Sequence, residues 1–253
     1  MLGILACGGL GSRLGLFTKR VSNKHLALVY DKPMIMYPIQ NLVDSGVKDL
    51  VLVTGKNHAG HFLEMLGDGK EFGANSIRYA FQYAADGIAG ALREAIKVGD
   101  HGQDLLVMLG DNYFSDSKDV EGLVRVGLDQ PTHAACLLYR VPDPERFGVA
   151  EVGKDQFGEK ILSIEEKPKI PKSDLAIVGA YYFPADVWEM IQSLKPSGRG
   201  ELEVTDLLKM YLKQGRLNHS FVKGAWSDMG TFDSLTEVAH MIYTEKKRME
   251  GNG

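Results

Sequence analysis

The sequence predicts an α/β fold: a mostly parallel, mixed sheet flanked by helices, with a smaller antiparallel lobe built onto it. Three observations carry this. In the first half, short apolar runs alternate with helix-period segments, the pattern of βα units around a parallel sheet. The runs 2–6, 50–54 and 105–109 are apolar almost throughout, as strands covered on both faces are. In the second half, strand-like runs follow one another with polar turns between them, as antiparallel pairs do.

Taken in order, strand 2–6 empties into a glycine-rich loop, and 25–30 runs to the turn Asp31-Lys32-Pro33. A helix over 35–44 closes near Gly46, strand 50–54 follows, and a short helix over 59–66 ends at Gly67-Asp68-Gly69. Residues 77–82 alternate as a strand. Ile88, Ala91, Leu92, Ala95 and Ile96 fall at helical spacing, so 88–98 is an amphipathic helix. Strand 105–109 ends on Gly110-Asp111-Asn112. The later strands are 133–141, 149–152, 161–165 and 176–183. Helices over 185–194 and 204–214, a strand over 217–222 and a last helix from 232 to about 249 complete the chain. Its Glu245-Lys246-Lys247-Arg248 run is a solvated helix end. There is neither a repeat nor a Pro- or Ser-rich linker, so 1–253 reads as a single domain with one core. About 1–130, 131–230 and 231–253 are its successive parts.

The 253 residues are 44% hydrophobic and 25% charged, an ordinary globular composition with enough chain for a large core. A net charge of −4 with no long same-sign block excludes a nucleic-acid surface or a membrane patch, so any positive site is local. Cys7 and Cys136 are the only cysteines, too few for a disulfide framework or a Cys-based zinc site. The start lacks the basic n-region of a secretion signal, and no run approaches the roughly 18 apolar residues of a membrane span. A reducing cytoplasm fits.

The chemistry begins at Cys7-Gly8-Gly9-Leu10-Gly11-Ser12-Arg13-Leu14. Gly8, Gly9 and Gly11 leave backbone amides free to face an anion; Ser12 adds a hydroxyl, Arg13 a planar fork of donors, and Lys24 and Lys32 compact cations. These are the parts of a polyphosphate cradle. A dinucleotide fingerprint started at Gly9 puts Leu14 where its third glycine belongs, and no Walker lysine occurs. There is also no H-E-x-x-H and no G-x-S-x-G.

In open α/β sheets ligands bind beyond the carboxyl ends of the strands, which is where the cradle, Gln82 and Asp111 all fall. Asp111 and Asp228 either cap the segments that follow them or supply carboxylates to one Mg²⁺. Gln82 is either a satisfied strand-end amide or a reader of a nucleobase edge. Glu166 and Lys167, adjacent on a strand and therefore expected on opposite faces, are either a surface pair or ligands for sugar hydroxyls and a phosphate. Arg199, flanked by Gly198 and Gly200, suits a mobile loop that delivers a guanidinium to a phosphate.

These motifs resemble those of the sugar-nucleotide pyrophosphorylases, a nucleotidyltransferase family. The similar segments are Gly8-Gly9-Leu10-Gly11-Ser12-Arg13-Leu14, Tyr30-Asp31-Lys32-Pro33, Leu66-Gly67-Asp68-Gly69, Leu109-Gly110-Asp111-Asn112, Asp143-Pro144-Glu145-Arg146-Phe147-Gly148-Val149, Glu165-Glu166-Lys167-Pro168 and Gly198-Arg199-Gly200-Glu201. They are collinear over about residues 3–240. The resemblance implies a Rossmann-like sheet with helices on both faces, of the nucleotide-diphospho-sugar transferase type, and a smaller sugar-binding lobe. It also implies Mg²⁺-dependent attack of a sugar 1-phosphate on the α-phosphorus of a nucleoside triphosphate, with pyrophosphate leaving. By position, Arg13 and Lys24 would hold the triphosphate, with Ala6, Gly8, Gly9, Gly11 and Ser12 around it, and Gln82 and Gly87 would read the base. Asp111 and Asp228 would hold the metal. Asn112, Gly148, Glu166, Tyr181 and the backbone at Ile177 would hold the sugar, and Lys167 and Arg199 its phosphate.

The branch of best match joins dTTP to glucose 1-phosphate. Ser12 stands for a usual Thr, Ala6-Cys7 for Leu-Ala, and Tyr83-Ala84-Ala85 lacks the expected prolines. UTP or CTP with another sugar or polyol phosphate is therefore the alternative, and a non-catalytic nucleotide-sugar binding module is the reading from outside enzymology. The chain ends near 253 without the C-terminal extension of longer members, which leaves feedback control open and allows a homo-oligomer.

Overall fold

A computed structural model of the chain describes residues 1–9, 12–15, 17–18, 22–156 and 158–251. Gly11 lies outside the described residues, and of Ser12 only the backbone is described. The first half contains β1 (Leu2–Cys7), the ribbon strands β2 (Leu28–Val29) and β3 (Lys32–Pro33), α1 (Met36–Asp44), β4 (Asp49–Gly55), α2 (Ala59–Leu66), β5 (Ser76–Gln82), α3 (Ile88–Ala95), β6 (Leu105–Leu109), β7 (Tyr113–Phe114) and α4 (Ser117–Asp129). The second contains β8 (Ala134–Arg140), β9 (Gly148–Asp155), β10 (Gly158–Glu166), β11 (Leu175–Phe183), α5 (Val187–Ser193), α6 (Val204–Lys213), β12 (Leu217–Phe221), β13 (Trp226–Ser227) and α7 (Phe232–Gly251).

Among the described residues, nine strands form one sheet in the order β10-β9-β11-β6-β1-β4-β5, with β8 on the other flank of β11 and β12 beyond it. β1 lies parallel to β4 and β6, and β4 parallel to β5. Register aligns their ends: Cys7 pairs with Thr54, Ala6 with Leu109 and Gly55 with Gln82. The loops after β1, β4, β5 and β6 therefore leave the sheet along a common edge. The expected antiparallel pairing, built onto the first sheet, is present. β11 runs antiparallel to β6, β8 and β9, and β12 joins parallel to β8, so the strands of the second half extend the same sheet.

Helices cover both faces because side chains alternate along the strands. Leu2 and Ile4 of β1 face a core with α3, α5 and α6, while Leu5 and Cys7 face one with α1, α2 and α4. Both cores draw on both halves: Leu2 shares one with Leu207, and Leu5 shares the other with Tyr182. A third cluster, with Val29, Met34, Tyr113, Met229, Val238 and Ile242, holds α7 against the β2–β3 ribbon.

Helix α4 and the β7–β13 ribbon are absent from the sequence reading. Asp116 starts α4 by accepting from Lys118 N at 3.0 Å, and Val120, Leu123 and Val124 fill the core face. Gly127 is required there because the Tyr182 ring lies against it. The buried Asp119 accepts from Lys223 N at 2.9 Å and Gly224 N at 3.1 Å, anchoring the approach to β13 and hence to Asp228. Asp119→Ala leaves two donors unpartnered and is expected to cost about 1–3 kcal/mol in urea unfolding.

Candidate functional site

Beyond the aligned strand ends a cleft runs through three contiguous hollows. The middle one, about 520 Å³, has Ala6, Ile88, Ala91 and Leu109 as apolar surface and Gly8, Gly9, Gln82, Gly87 and Asp111 around it. On one side it shares Arg13, Asp111, Glu166 and Lys167 with a hollow of about 480 Å³ that also reaches Asn112, Gly148, Ile177, Tyr181 and Asp228. On the other it shares Gly8, Gly9, Lys24 and Gln82 with one of about 280 Å³. Arg13, Asp111, Lys167 and Asp228, far apart in sequence, thus face one space.

The loop after β1 needs its glycines. Gly9 has φ +91°, and a side chain at Gly8 would strike the Gln82 amide oxygen. Gln82 is buried, and its amide nitrogen donates to Asp86 Oδ1 at 2.6 Å and to the Gly87 carbonyl at 2.9 Å. Both donors are committed within the protein, which leaves the carbonyl oxygen as the group directed elsewhere. Gly87, at φ +94°, sits where a Cβ would lie 2.5 Å from the Leu202 carbonyl, and Leu202 N donates to Asp86 O at 2.7 Å. A segment of the second half therefore clips the β5–α3 loop in place.

Asp111 follows β6, held by two neighbours: Lys24 donates to its Oδ2 and Asn112 Nδ2 to its Oδ1 at 3.0 Å. Burial pushes its carboxyl up, but Lys24, His25 and the Asn112 hydrogen bond together bring the group below its ordinary value. Asn112 itself is buried, and its Oδ1 accepts from Gly179 N at 3.2 Å and Trp226 Nε1 at 2.7 Å. Most of its hydrogen-bonding capacity therefore goes to joining β6, β11 and β13. His25 packs beneath Gly110 with Nδ1 2.7 Å from Asn23 Oδ1; burial and Lys24 lower its pKa to about 3, so the ring is neutral.

Neither acid is a helix cap. Asp116 caps α4, and Ser234 N donates to Thr231 Oγ1 at 3.1 Å ahead of α7. Asp228 instead meets Arg13 at 3.4 Å and Arg146 at 3.1 Å.

The structure corrects three expectations. Glu166 and Lys167 do not diverge: β10 stops at Glu166 and Lys167 takes φ +44°, which breaks the alternation and turns both side chains into the same two hollows. Burial, with the nearby Glu203 carboxylate, raises the Glu166 pKa against the pull of the Thr205 hydroxyl, which donates at 2.9 Å. Arg199 lines none of the three hollows. Its guanidinium pairs with Glu166 at 3.2 Å and with Glu201 and Glu203 at 3.4 Å each. Lys32 lies on the exposed ribbon, away from all three.

Arg146, Trp226 and Thr205 also line the 480 Å³ hollow, and the sequence alone does not point to them. Arg146 sits among Asp143, Glu145 and Pro144, a setting indistinguishable in sequence from a surface turn. Gly148, expected beside the sugar, is needed there for a steric reason: a Cβ would stand 2.5 Å from Thr205 Cγ2 and 3.2 Å from Glu166 Oε2. Gly148→Ala is expected to displace Glu166 and raise the KM for the sugar phosphate about tenfold, with the KM for nucleotide nearly unchanged in initial-rate kinetics.

Asp111 and Asp228 offer oxygen donors across one hollow, with no thiol among its lining residues, which suits a hard cation. Among the described residues no three acidic, His or Cys side chains form a metal cluster. The set therefore fits an ion that completes its shell with water and phosphate oxygens, as Mg²⁺ does.

Residues 2–245 match the family model described as nucleotidyl transferase. The chain belongs to the nucleotidyl transferase family. A glucose-1-phosphate thymidylyltransferase of Neisseria meningitidis serogroup A is 42% identical over 250 residues, covering 96% of this chain and 83% of that protein. One of Mycobacterium tuberculosis is 41% identical over 251 residues, covering 98% and 84%. Among solved structures, a candidate glucose-1-phosphate thymidylyltransferase of Bacillus anthracis, in complex with a sucrose, superimposes with a TM-score of 0.87 at 42% identity and covers 95% of each chain. A UDP-glucose pyrophosphorylase complexed with UDP-glucose, at 20% identity and TM-score 0.82, shares the fold. This nucleotidyl transferase has no helix, among its described residues, long and apolar enough to cross a membrane.

Proposed function

We propose that this nucleotidyl transferase joins dTTP to glucose 1-phosphate, giving the nucleotide-sugar and pyrophosphate. The observation that carries it is the meeting of Arg13, Asp111, Lys167 and Asp228 around one space, together with about 40% identity to the thymidylyltransferases over nearly the whole chain. The middle hollow takes the nucleotide: its apolar surface suits a pyrimidine ring, and the Gln82 carbonyl accepts from an imide N–H such as that of thymine or uracil. Cytosine offers no such donor at that ring position, which disfavours CTP.

The sugar phosphate enters the 480 Å³ hollow, its hydroxyls toward Glu166 and its phosphate toward Lys167. A phosphate monoester oxygen is already an anion and needs no general base, so the residues position and neutralise. Arg13 and Lys24 hold the nucleotide phosphates, and Arg199 orders the Glu166 carboxylate. Mg²⁺, held by Asp111 and Asp228, would supply charge neutralisation at the reacting phosphates. Residues up to about 130 furnish the nucleotide side, and about 131–230 most of the sugar side.

Pyrophosphate release measured over a grid of nucleoside triphosphates and sugar 1-phosphates with Mg²⁺ tests this. The highest kcat/KM is expected for dTTP with glucose 1-phosphate; a maximum elsewhere reassigns the substrates, and release in no cell of the grid overturns the reaction.

A further inference from the structure

A glutamine amide has two ends of nearly the same shape and opposite hydrogen-bonding character, so what it reads depends on which way it is turned. In this chain the turn is imposed from behind. Gln82 Nε2 donates to Asp86 Oδ1 at 2.6 Å and to the Gly87 carbonyl at 2.9 Å, while Oε1 lies over Gly8 in the wall of the middle hollow, where a Cβ on Gly8 would stand 2.1 Å from it. Asp86 itself lines none of the three hollows, and among the described residues its carboxylate has no cation partner and accepts only from Gln82. An acid just ahead of a helix ordinarily caps it, but α3 has Gly87 at its N-cap and no side-chain cap.

Two features keep that carboxylate in place. Leu202 N donates to Asp86 O at 2.7 Å and Ala89 N to Leu202 O at 3.1 Å, which pins the backbone on both sides of Gly87. Gly90, in the first turn of α3, leaves the room: a Cβ there would stand 2.1 Å from Asp86 Oδ1. Alanine is the better helix former, so the glycine serves the carboxylate and not the helix.

We infer that Asp86 is a specificity-determining positioning residue: by fixing the Gln82 amide with its oxygen toward the middle hollow, it admits a pyrimidine that carries an imide N–H and rejects one that presents a ring-nitrogen lone pair. This rests on the proposed seating of the base against Gln82. Thymine and uracil offer a donor at that ring position, and cytosine an acceptor. An unrestrained amide would turn over and donate to cytosine, and the site would accept both kinds of base. Turning it here forfeits two hydrogen bonds, one of them to a carboxylate, and sets Oε1 against two acceptor oxygens. Gln82 is only 7% exposed, so little water is at hand to make up the loss. Asp86 does not distinguish thymine from uracil, which share the imide.

The test uses the full chain with Asp86→Leu, Asp86→Asn and Gly90→Ala. Binding of dTMP and of dCMP is measured by calorimetry, initial rates are followed with dTTP and glucose 1-phosphate, and thermal unfolding checks the fold. In Asp86→Leu the preference for dTMP over dCMP is expected to fall about tenfold, as the loss of one charge-assisted bond implies. Asp86→Asn, whose side-chain oxygen can accept the same N–H, should keep the preference within about twofold of wild type. Gly90→Ala, which displaces the carboxylate without altering it, should behave like Asp86→Leu. In steady state the loss should appear in the KM for dTTP, with kcat and the KM for glucose 1-phosphate nearly unchanged. An unchanged preference in both Asp86→Leu and Gly90→Ala overturns the assignment; so does an equal loss of dTMP and dCMP affinity, the mark of a merely structural role, and so does an Asp86→Asn variant as indiscriminate as Asp86→Leu. A wild-type protein that binds dTMP no better than dCMP overturns the seating of the base against Gln82 itself, and the role of Asp86 with it, so the two failures are told apart by the wild type.

Discussion

Asp111→Asn is expected to lower turnover about 10²–10³-fold while the chain still folds. The substitution is isosteric, but the aspartate accepts from Lys24 on one oxygen and from Asn112 Nδ2 on the other. An asparagine has one acceptor, so its amide nitrogen must face one of those two donors. If it faces Lys24, an ammonium whose side chain is only 13% exposed loses its counter-ion. Breaking a buried pair from one side costs about 3–5 kcal/mol. The double variant Lys24→Met with Asp111→Asn removes the stranded charge, so stability in urea unfolding should return toward wild type. Turnover should not, since the double variant also lacks a phosphate-binding cation. Recovery of stability without activity separates the structural role of the pair from its catalytic one. Turnover within about tenfold of wild type in the single variant would remove Asp111 from the metal site.

The same pairing recurs across the cleft. Lys24 faces Asp111, Arg13 and Arg146 share Asp228, and Arg199 is surrounded by Glu166, Glu201 and Glu203. The cations assigned to phosphate are thus already neutralised by carboxylates, two of which are the proposed metal ligands. On the proposed assignment, incoming phosphates and Mg²⁺ would exchange partners with these pairs instead of meeting bare charge. A site with several cations can in this way exist in a chain whose net charge is −4.

How much of this was legible differs by residue. The strand ends were readable because β1, β4 and β6 are nearly continuous apolar runs, and the carboxyl-edge rule then placed Gly8, Gly9, Gln82 and Asp111 together. α4 was missed although Asp116 and the Val120, Leu123, Val124 spacing mark it, because Gly122 and Gly127 dilute the helical signal. One of those glycines exists for the Tyr182 ring, a contact from a strand more than fifty residues later. Lys167 was misplaced because period-two alternation assumes a strand, and a non-glycine residue at positive φ is a tertiary outcome. It is held by Lys167 N donating to Phe147 O at 2.9 Å. Arg199 was misjudged for a related reason: its glycines suggested reach, while the three acids around it come partly from β10. Arg146 carried no local signal, since its partner Asp228 is 82 positions away.

Asn112→Asp should be as damaging as the change at Asp111, by the opposite route. The new carboxylate keeps the bonds from Gly179 N and Trp226 Nε1 on Oδ1, so β11 and β13 remain attached. Its other oxygen replaces the nitrogen now 3.0 Å from Asp111 Oδ1, setting two carboxylates in contact. Such a pair cannot both ionise freely, so one holds a proton and its pKa rises by at least about one pH unit. A carboxyl whose folded pKa is raised binds a proton that the unfolded chain has released. Stability relative to wild type is therefore retained below the unfolded carboxyl value and lost as pH climbs through the raised one, by about 1.4 kcal/mol for each pH unit that separates the two values. In the same range Asp111 is partly protonated and cannot serve a cation, so the acidic limb of the pH–rate profile moves upward. Urea unfolding and kcat/KM followed from about pH 3 to 9 check both limbs. A variant with the wild-type profile would mean that Lys24 alone neutralises both carboxylates, and Asn112 would lose its place among the groups that keep Asp111 ionised.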